Sequence, residues 1–189
     1  MKRFVIAEDN LIQEICRCAL PEAEREKIDI FKAGDVGKVA NSLMNVNIQN
    51  ALAIGIIDKD PEKNFKTKHL LKFKNISRET EMPAFHSSVI IRRVPSQSTP
   101  AHTLILLENT SETWILDCAK QGSVSPQDYN LPDTPKELRK TTKSDQLHKN
   151  ENVKQFLIAI RRANPLSFST LQQWLRYELS RFSPQDLSA

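Results

Sequence analysis

The chain has 189 residues and a net charge of +4, which is about the length of one domain. Charged residues make up 26% of it and hydrophobic residues 39%, and no apolar run approaches the roughly 20 residues that a helix needs to cross a bilayer. We therefore expect no membrane span and no membrane partner. The first apolar run is also too short for the core of a signal peptide, so we expect a cytoplasmic protein.

Short apolar segments alternate with segments of helical periodicity in the first part of the chain. Strands are predicted over residues 4–7, 28–35 and 51–57, and helices are predicted to start at Asn10 and Val36 between them. Residues 51–57 are apolar throughout, as in a strand that helices cover on both faces. This alternation predicts an α/β fold, with a mostly parallel sheet and helices on both faces.

The second part of the chain changes in character. Strands are predicted over residues 88–94 and 103–107, and a helix is predicted to start at SETWIL. Prolines and many polar residues over 121–150 predict an extended or partly mobile connection. Two amphipathic helical patterns follow. We therefore expect an α/β core over 1–120, a polar connection over 121–150, and a helical C-terminal extension over 151–189 that packs on the core through Phe168, Trp174 and Leu175.

Acidic side chains follow two of the predicted strands. FVIAEDN runs into Glu8 and Asp9, and ALAIGIIDKDPE runs into Asp58 and Asp60. Because the carboxyl ends of parallel strands lie at one edge of a sheet, Glu8, Asp58 and Asp60 are expected to lie together. Like charges held close are costly unless a cation lies between them, and carboxylate oxygens suit Mg²⁺ or Mn²⁺. The pattern predicts a site for one of these ions.

A basic run, KNFKTKHLLKFKNISR, follows these acids directly. It is either a solvated surface or a face that binds the phosphates of nucleic acid. In the second case the contacts would come from Lys66, Lys68, Lys72, Lys74 and Arg78. Simpler roles are open for the acids as well, since Asp9 can cap the first helix and Glu112 can be a favourable charge at a helix start.

The order of the acidic segments resembles that of the TOPRIM domain. The similar features are a strand ending in Glu8, the glycine-containing segment KAGDVGKV, the Asp58-x-Asp60 pair after a strand, and ENTSETWIL with Glu112 at a helix start. They cover roughly residues 1–120 and look most like OLD-type and related small stand-alone TOPRIM nucleases. One departure is Asp9, where many TOPRIM sequences have glycine.

The resemblance implies a TOPRIM or Rossmann-like fold and a Mg²⁺- or Mn²⁺-dependent nuclease acting on DNA or RNA. Asp58 and Asp60 would hold the metal ion, Glu8 would be a general acid–base or a further metal ligand, and Glu112 would complete the catalytic set. Small proteins of this type often serve in phage defence or genome maintenance. A protein partner or a homodimer is compatible with the same fold.

Two other functions remain open from the sequence. Asp9 in place of glycine is compatible with an inactive TOPRIM-like subunit that binds nucleic acid or a partner. FVIAEDN also resembles the start of a response-regulator receiver domain, in which Asp58 would accept a phosphoryl group. Receivers place Thr or Ser after the fourth strand and Lys-Pro after the fifth, whereas here Ser87 and Ser88 precede their strand and LILLENT lacks Lys-Pro.

Overall fold

A computed structural model of the chain describes residues 2–45, 51–59, 78–80, 89–93 and 102–180. In these residues a six-stranded sheet forms the centre of the molecule. Its strands are β1 (Lys2–Ala7), β2 (Asp29–Lys32), β3 (Ala51–Lys59), β4 (Arg78–Thr80), β5 (Val89–Arg93) and β6 (Thr103–Glu108).

The strand order is β2-β1-β3-β6-β5-β4. The first four strands in this order are parallel, whereas β5 and β4 join the β6 side by antiparallel pairing. The prediction of a mostly parallel α/β sheet is therefore confirmed. Strand β3 extends past Ile57 to Lys59, so Asp58 lies inside the strand and pairs with Leu107, not after the strand as predicted.

Helices precede, connect and follow these strands. They are α1 (Asn10–Ala19), α2 (Glu22–Arg25), α3 (Val36–Asn45), α4 (Ser111–Gln121), α5 (Pro135–Thr142), α6 (Glu151–Ala163) and α7 (Leu166–Ser180). The helices predicted to start at Asn10, Val36 and SETWIL begin at those positions.

Helices cover both faces of the sheet, as predicted. On one face, α3 packs Val39 and Leu43 against alternate residues of β3, including Ala53 and Ile57. On the other face, α1 and the helices from α4 onward form a larger core with the remaining β3 side chains, such as Ile54. Because successive side chains of a strand lie on opposite faces of the sheet, the apolar residues of β3 contribute to two cores.

The segment over 121–150 corrects one prediction, because it is not an extended connection. Thr134 caps α5 by accepting a hydrogen bond from the Glu137 N–H, and Pro135 occupies the first helical position, where a missing N–H costs nothing. Leu138 of this helix is buried in the core. The prolines therefore mark a helix start and loops around it.

The C-terminal helices α6 and α7 pack on the core through apolar side chains, as expected. Phe168, Trp174 and Leu175 are buried in the larger core, and the Phe168 ring lies 6.3 Å from that of Trp114. Residues 181–189 of the predicted extension lie outside the described part of the chain. No helix in the described ranges is long and apolar enough to cross a membrane.

Candidate functional site at the carboxyl edge of the sheet

A cavity of about 600 Å³ opens beyond the carboxyl ends of β1 and β3. Its lining includes Glu8, Asp9, Asp58 and Glu112, which come from three separate parts of the chain. Parallel pairing of β1 with β3, and of β3 with β6, brings these parts to one edge. The predicted convergence of Glu8 with Asp58 is therefore present in the fold.

Glu8 lies directly beside Asp58. Its backbone N–H donates to the Ile56 carbonyl at 3.0 Å, which continues the β1–β3 ladder by one residue. The Asp58 N–H in turn donates to Glu8 Oε2 at 3.2 Å. Both carboxylates are buried, with 4% of Glu8 and 2% of Asp58 exposed, so their charges are held in a poorly solvated place.

The start of α4 meets Asp58 from the other side. Asn109 adopts a left-handed backbone conformation (φ 65°), which asparagine tolerates better than most residues, and this turn leads into the N-cap residue Thr110. The Ser111 N–H, which has no partner inside the helix, donates to Asp58 Oδ2 at 3.1 Å. A helix start thus stabilises the Asp58 carboxylate.

Glu112, the second residue of α4, is fixed by a side chain from α5. The Thr142 hydroxyl donates to Glu112 Oε1 at 2.7 Å, and only 5% of Glu112 is exposed. Glu112 is therefore more than a charge at a helix start, because it is buried in the cavity lining and held by a residue 30 positions away. Thr142 lies in the segment that sequence analysis interpreted as a connection.

Asp9 has two roles in the structure. Its Oδ1 accepts the Ile12 N–H at 2.8 Å and caps α1, as one interpretation of the sequence proposed. Its Oδ2 accepts the Ser111 hydroxyl at 3.2 Å inside the cavity lining. Burial raises the pKa of the Asp9 carboxyl, and the charges of Asp58 and Glu112 raise it further, while the bonds from Ile12 and Ser111 oppose this shift.

The glycine-containing segment after β2 closes another side of the cavity. Gly34 has φ 100°, which glycine adopts without strain, and its N–H donates to the Glu8 carbonyl at 2.9 Å. Asp35 then accepts the Lys38 N–H at 2.8 Å at the start of α3. This turn holds the backbone of Glu8 in place.

Cationic side chains line the same cavity. They are Lys32 from β2, Arg139 from α5 and Lys143, the residue after α5. Lys32 forms an ion pair with Asp145 at 3.0 Å, and this contact lowers the pKa of the Asp145 carboxyl. Sequence analysis missed all three cations, and the only signal for Arg139 and Lys143 was their spacing of four on an unrecognised helix.

Several predicted site residues cannot be placed. Asp60 and the basic residues Lys66, Lys68, Lys72 and Lys74 lie outside the described residues. For Arg78 the structure gives only its backbone, which begins β4 and pairs with Arg93. The partnership of Asp58 with Asp60 and the contacts of the basic run with nucleic acid therefore stay predictions.

No three His, Cys, Asp or Glu side chains in the described ranges are arranged to hold a metal ion. Glu8 Oε2 and Asp58 Oδ2 accept backbone N–H groups instead. The lining still includes the carboxylates of Glu8, Asp9, Asp58 and Glu112, which suit a hard cation, and the raised pKa of Asp9 indicates that negative charge is disfavoured there. A bound divalent ion would relieve that cost.

Comparison of the chain with models of protein families, with curated proteins and with solved structures gave no match. Functional assignment therefore depends on the residues of the cavity and on their geometry.

Proposed function

We propose that this protein is a Mg²⁺- or Mn²⁺-dependent nuclease of the TOPRIM type that hydrolyses phosphodiester bonds of nucleic acid in the cytoplasm. The observation that supports it best is the convergence of Glu8, Asp58 and Glu112, each at most 5% exposed, on one cavity at the carboxyl edge of a parallel sheet. Buried carboxylates gathered at such an edge are suited to hold a divalent ion against a phosphate.

Each residue has a distinct role in this proposal. Glu8 and Asp58 would hold the metal ion together with Asp60, and Glu112 would complete the carboxylate set. A bound metal ion would supply charge stabilisation at the phosphoryl oxygens and a more acidic water. Glu8 would also accept or donate a proton. Ser111 and Thr142 keep Asp58 and Glu112 oriented through the hydrogen bonds described above.

The basic run after Asp60 is proposed to bind the nucleic-acid backbone. Its cations would make contacts whose strength falls steeply with salt, because each neutralised phosphate releases counterions. These cations are Lys66, Lys68, Lys72, Lys74 and Arg78.

The test is a cleavage assay with purified protein on single- and double-stranded DNA and RNA, with Mg²⁺, with Mn²⁺ and with chelator. We expect nicking or degradation of at least one substrate, loss of activity with chelator, and loss with Asp58→Asn. Calorimetric titration should show weak Mn²⁺ binding that the double variant Asp58→Asn with Asp60→Asn abolishes. Equal Mn²⁺ affinity in the wild type and the double variant would rule out the metal site.

If the wild type binds nucleic acid and cleaves none of these substrates with either metal ion, the nuclease assignment is wrong. The inactive TOPRIM-like subunit, which binds nucleic acid or a protein partner, would then replace it.

One contact favours a second function, that of a receiver-like phosphoacceptor. Ser111 follows β6, the strand next to β3, and its N–H lies 3.1 Å from Asp58 Oδ2, so a hydroxyl residue adjoins the candidate acceptor. Incubation with a small acyl phosphate and Mg²⁺ distinguishes the two functions. A receiver would form an acid-stable, base-labile acyl phosphate on Asp58 and cleave no nucleic acid, whereas the nuclease would remain unmodified.

A further inference from the structure

The cavity has a cationic wall that comes from α5. Arg139 and Lys143 lie four residues apart, so they share a face of the helix, and both line the cavity that contains the carboxylates. Both lie within the 121–150 segment, far along the chain from the basic run after Asp60. The cavity thus combines buried acids with cations from a second region.

Packing and hydrogen bonds fix α5 against the elements that build the site. Leu138 is buried in the core with 2% of its surface exposed, and Thr142 donates to Glu112. Just after the helix, Asn10 Nδ2 donates to the Ser144 carbonyl at 3.0 Å, and Lys32 pairs with Asp145. The backbone of Arg139 and Lys143 is therefore held in a set position relative to the carboxylates, and a ligand has only their side chains to order.

The charges of these two residues are available to a ligand. No ion pair links Arg139 or Lys143 to any acid among the described residues, and Arg139 is only partly exposed. Their neighbour Lys140 behaves differently, since its ammonium pairs with Glu137 at 2.7 Å and it does not line the cavity. Arg139 and Lys143 therefore present unpaired charges to the cavity, whereas Lys140 is paired and lies outside it.

We propose that Arg139 and Lys143 bind the phosphate groups of the nucleic acid at the mouth of the carboxylate cavity. This inference rests on the proposed function for the identity of the ligand, but it concerns binding and not cleavage. A guanidinium can hold two phosphate oxygens at once, and an ammonium adds a point charge beside it. The substrate backbone then lies between α5 and the carboxylates of the sheet edge.

The test compares two double variants that remove the same charge from the same helix. Arg139→Ala with Lys143→Ala removes two of the three cations that line the cavity and leaves Lys32, and Lys136→Ala with Lys140→Ala removes two cations outside the lining. Anisotropy of short labelled oligonucleotides, measured with chelator so that no cleavage occurs, gives their affinities. We expect the first variant to bind about tenfold or more weakly and the second to change little.

The salt dependence provides a second readout. Each phosphate contact contributes roughly 0.7 to 0.9 to the slope of log affinity against log salt, so losing both contacts should lower its magnitude by roughly 1.5. Arg139→Lys keeps the charge but lacks the planar guanidinium, so its affinity should lie between those of the wild type and the double variant. Lys143→Ala alone changes an exposed position, so its loss of affinity cannot come from misfolding.

Equal affinities for the two double variants would overturn the inference, and so would a wild type that binds no nucleic acid. If the cavity variant loses affinity as expected but the wild type cleaves no substrate, the inference stands and the nuclease assignment fails. If the cavity variant loses cleavage but keeps the wild-type affinity, the inference is also wrong, because other residues would then bind the phosphates.

Discussion

Glu112 and Glu178 are both buried in this protein, and the difference between their surroundings indicates what makes a site. Glu112 follows β6 at its carboxyl end, and Glu178 of α7 accepts a hydrogen bond from Thr103 at the opposite end of the same strand. Each accepts a threonine hydroxyl at 2.7 Å, and neither is more than 5% exposed. In burial and in this threonine contact they are alike.

Their neighbours separate them. Glu112 lines a cavity together with Glu8, Asp9 and Asp58, and its charge contributes to raising the pKa of Asp9. Glu178 lies outside that cavity. A buried carboxylate with a hydroxyl partner is therefore compatible with a purely structural role, whereas several carboxylates around one accessible space form a candidate catalytic centre.

The largest expected effect is on cleavage. Glu8→Gln should lower the cleavage rate about 100- to 10,000-fold, the range associated with loss of a general acid–base group, and Glu178→Gln should leave it unchanged. Glutamine keeps the acceptor oxygen for the Asp58 N–H, so the fold should persist. Single-turnover rates on the preferred substrate measure the effect. Similar losses in both variants would remove the distinction between the glutamates of the cavity and Glu178.

Thr103→Val should mainly affect stability. The substitution removes a hydroxyl that donates to a fully buried carboxylate, and leaving such a group short of a donor costs about 1 to 3 kcal/mol in free energy of unfolding. Thermal denaturation measures this loss, with Thr103→Ser as the control that keeps the hydroxyl. Cleavage measured well below the melting temperature should be unaffected, and a loss of activity at that temperature would contradict a structural role for Glu178.

Thr142→Val makes the matching change at Glu112, which accepts the Thr142 hydroxyl. Because water in the cavity can replace the lost hydroxyl, we expect a smaller stability loss of about 1 kcal/mol. Cleavage should fall about tenfold, since a displacement of about 1 Å at a catalytic group can cost up to about 100-fold. Thr142→Ser should restore most of the rate. Full activity in Thr142→Val would indicate that Glu112 needs no positioning by α5.

The smallest effect concerns pH. The pKa of Asp9 is raised in the folded protein, so between the normal carboxyl pKa and the raised one the folded state binds more protons than the unfolded state. The contribution of the Asp9 carboxyl to stability is fully present below its normal pKa, and it is lost as the pH rises through the raised pKa of the folded protein.

Asp9→Asn should remove the loss of stability with rising pH, and its amide oxygen keeps the acceptor for the Ile12 N–H. We expect the free energy of unfolding of the metal-free variant to rise by roughly 0.5 to 1 kcal/mol at neutral pH. Its free energy of unfolding should also no longer fall with rising pH in this range. Urea unfolding with chelator over an acidic to neutral pH series measures both, and an unchanged slope would show that another group causes it.

The strands and several site residues were predictable from local patterns. Short apolar runs, and the helical spacing after Asn10 and Val36, were sufficient to predict the parallel sheet. Because parallel strands end at one edge, they were also sufficient to bring Glu8 and Asp58 together. The α5 helix was missed because its proline and polar residues resemble a loop, while Leu138 and Thr142 are its only buried residues.

The sequence by itself determined roughly where β1, β3 and β6 lie, and that the acids at the ends of β1 and β3 share an edge, because apolar runs and strand–helix alternation are local patterns of the chain. Only the tertiary structure decided that Ser111, Thr142, Arg139 and Lys143 surround those acids. Such contacts join positions far apart in the chain, for example Asp58 and Ser111, which are separated by 53 positions, and no local pattern encodes them. The docking of α5 depends on the packing of the whole core, which is why its role at the site could not be predicted from its composition.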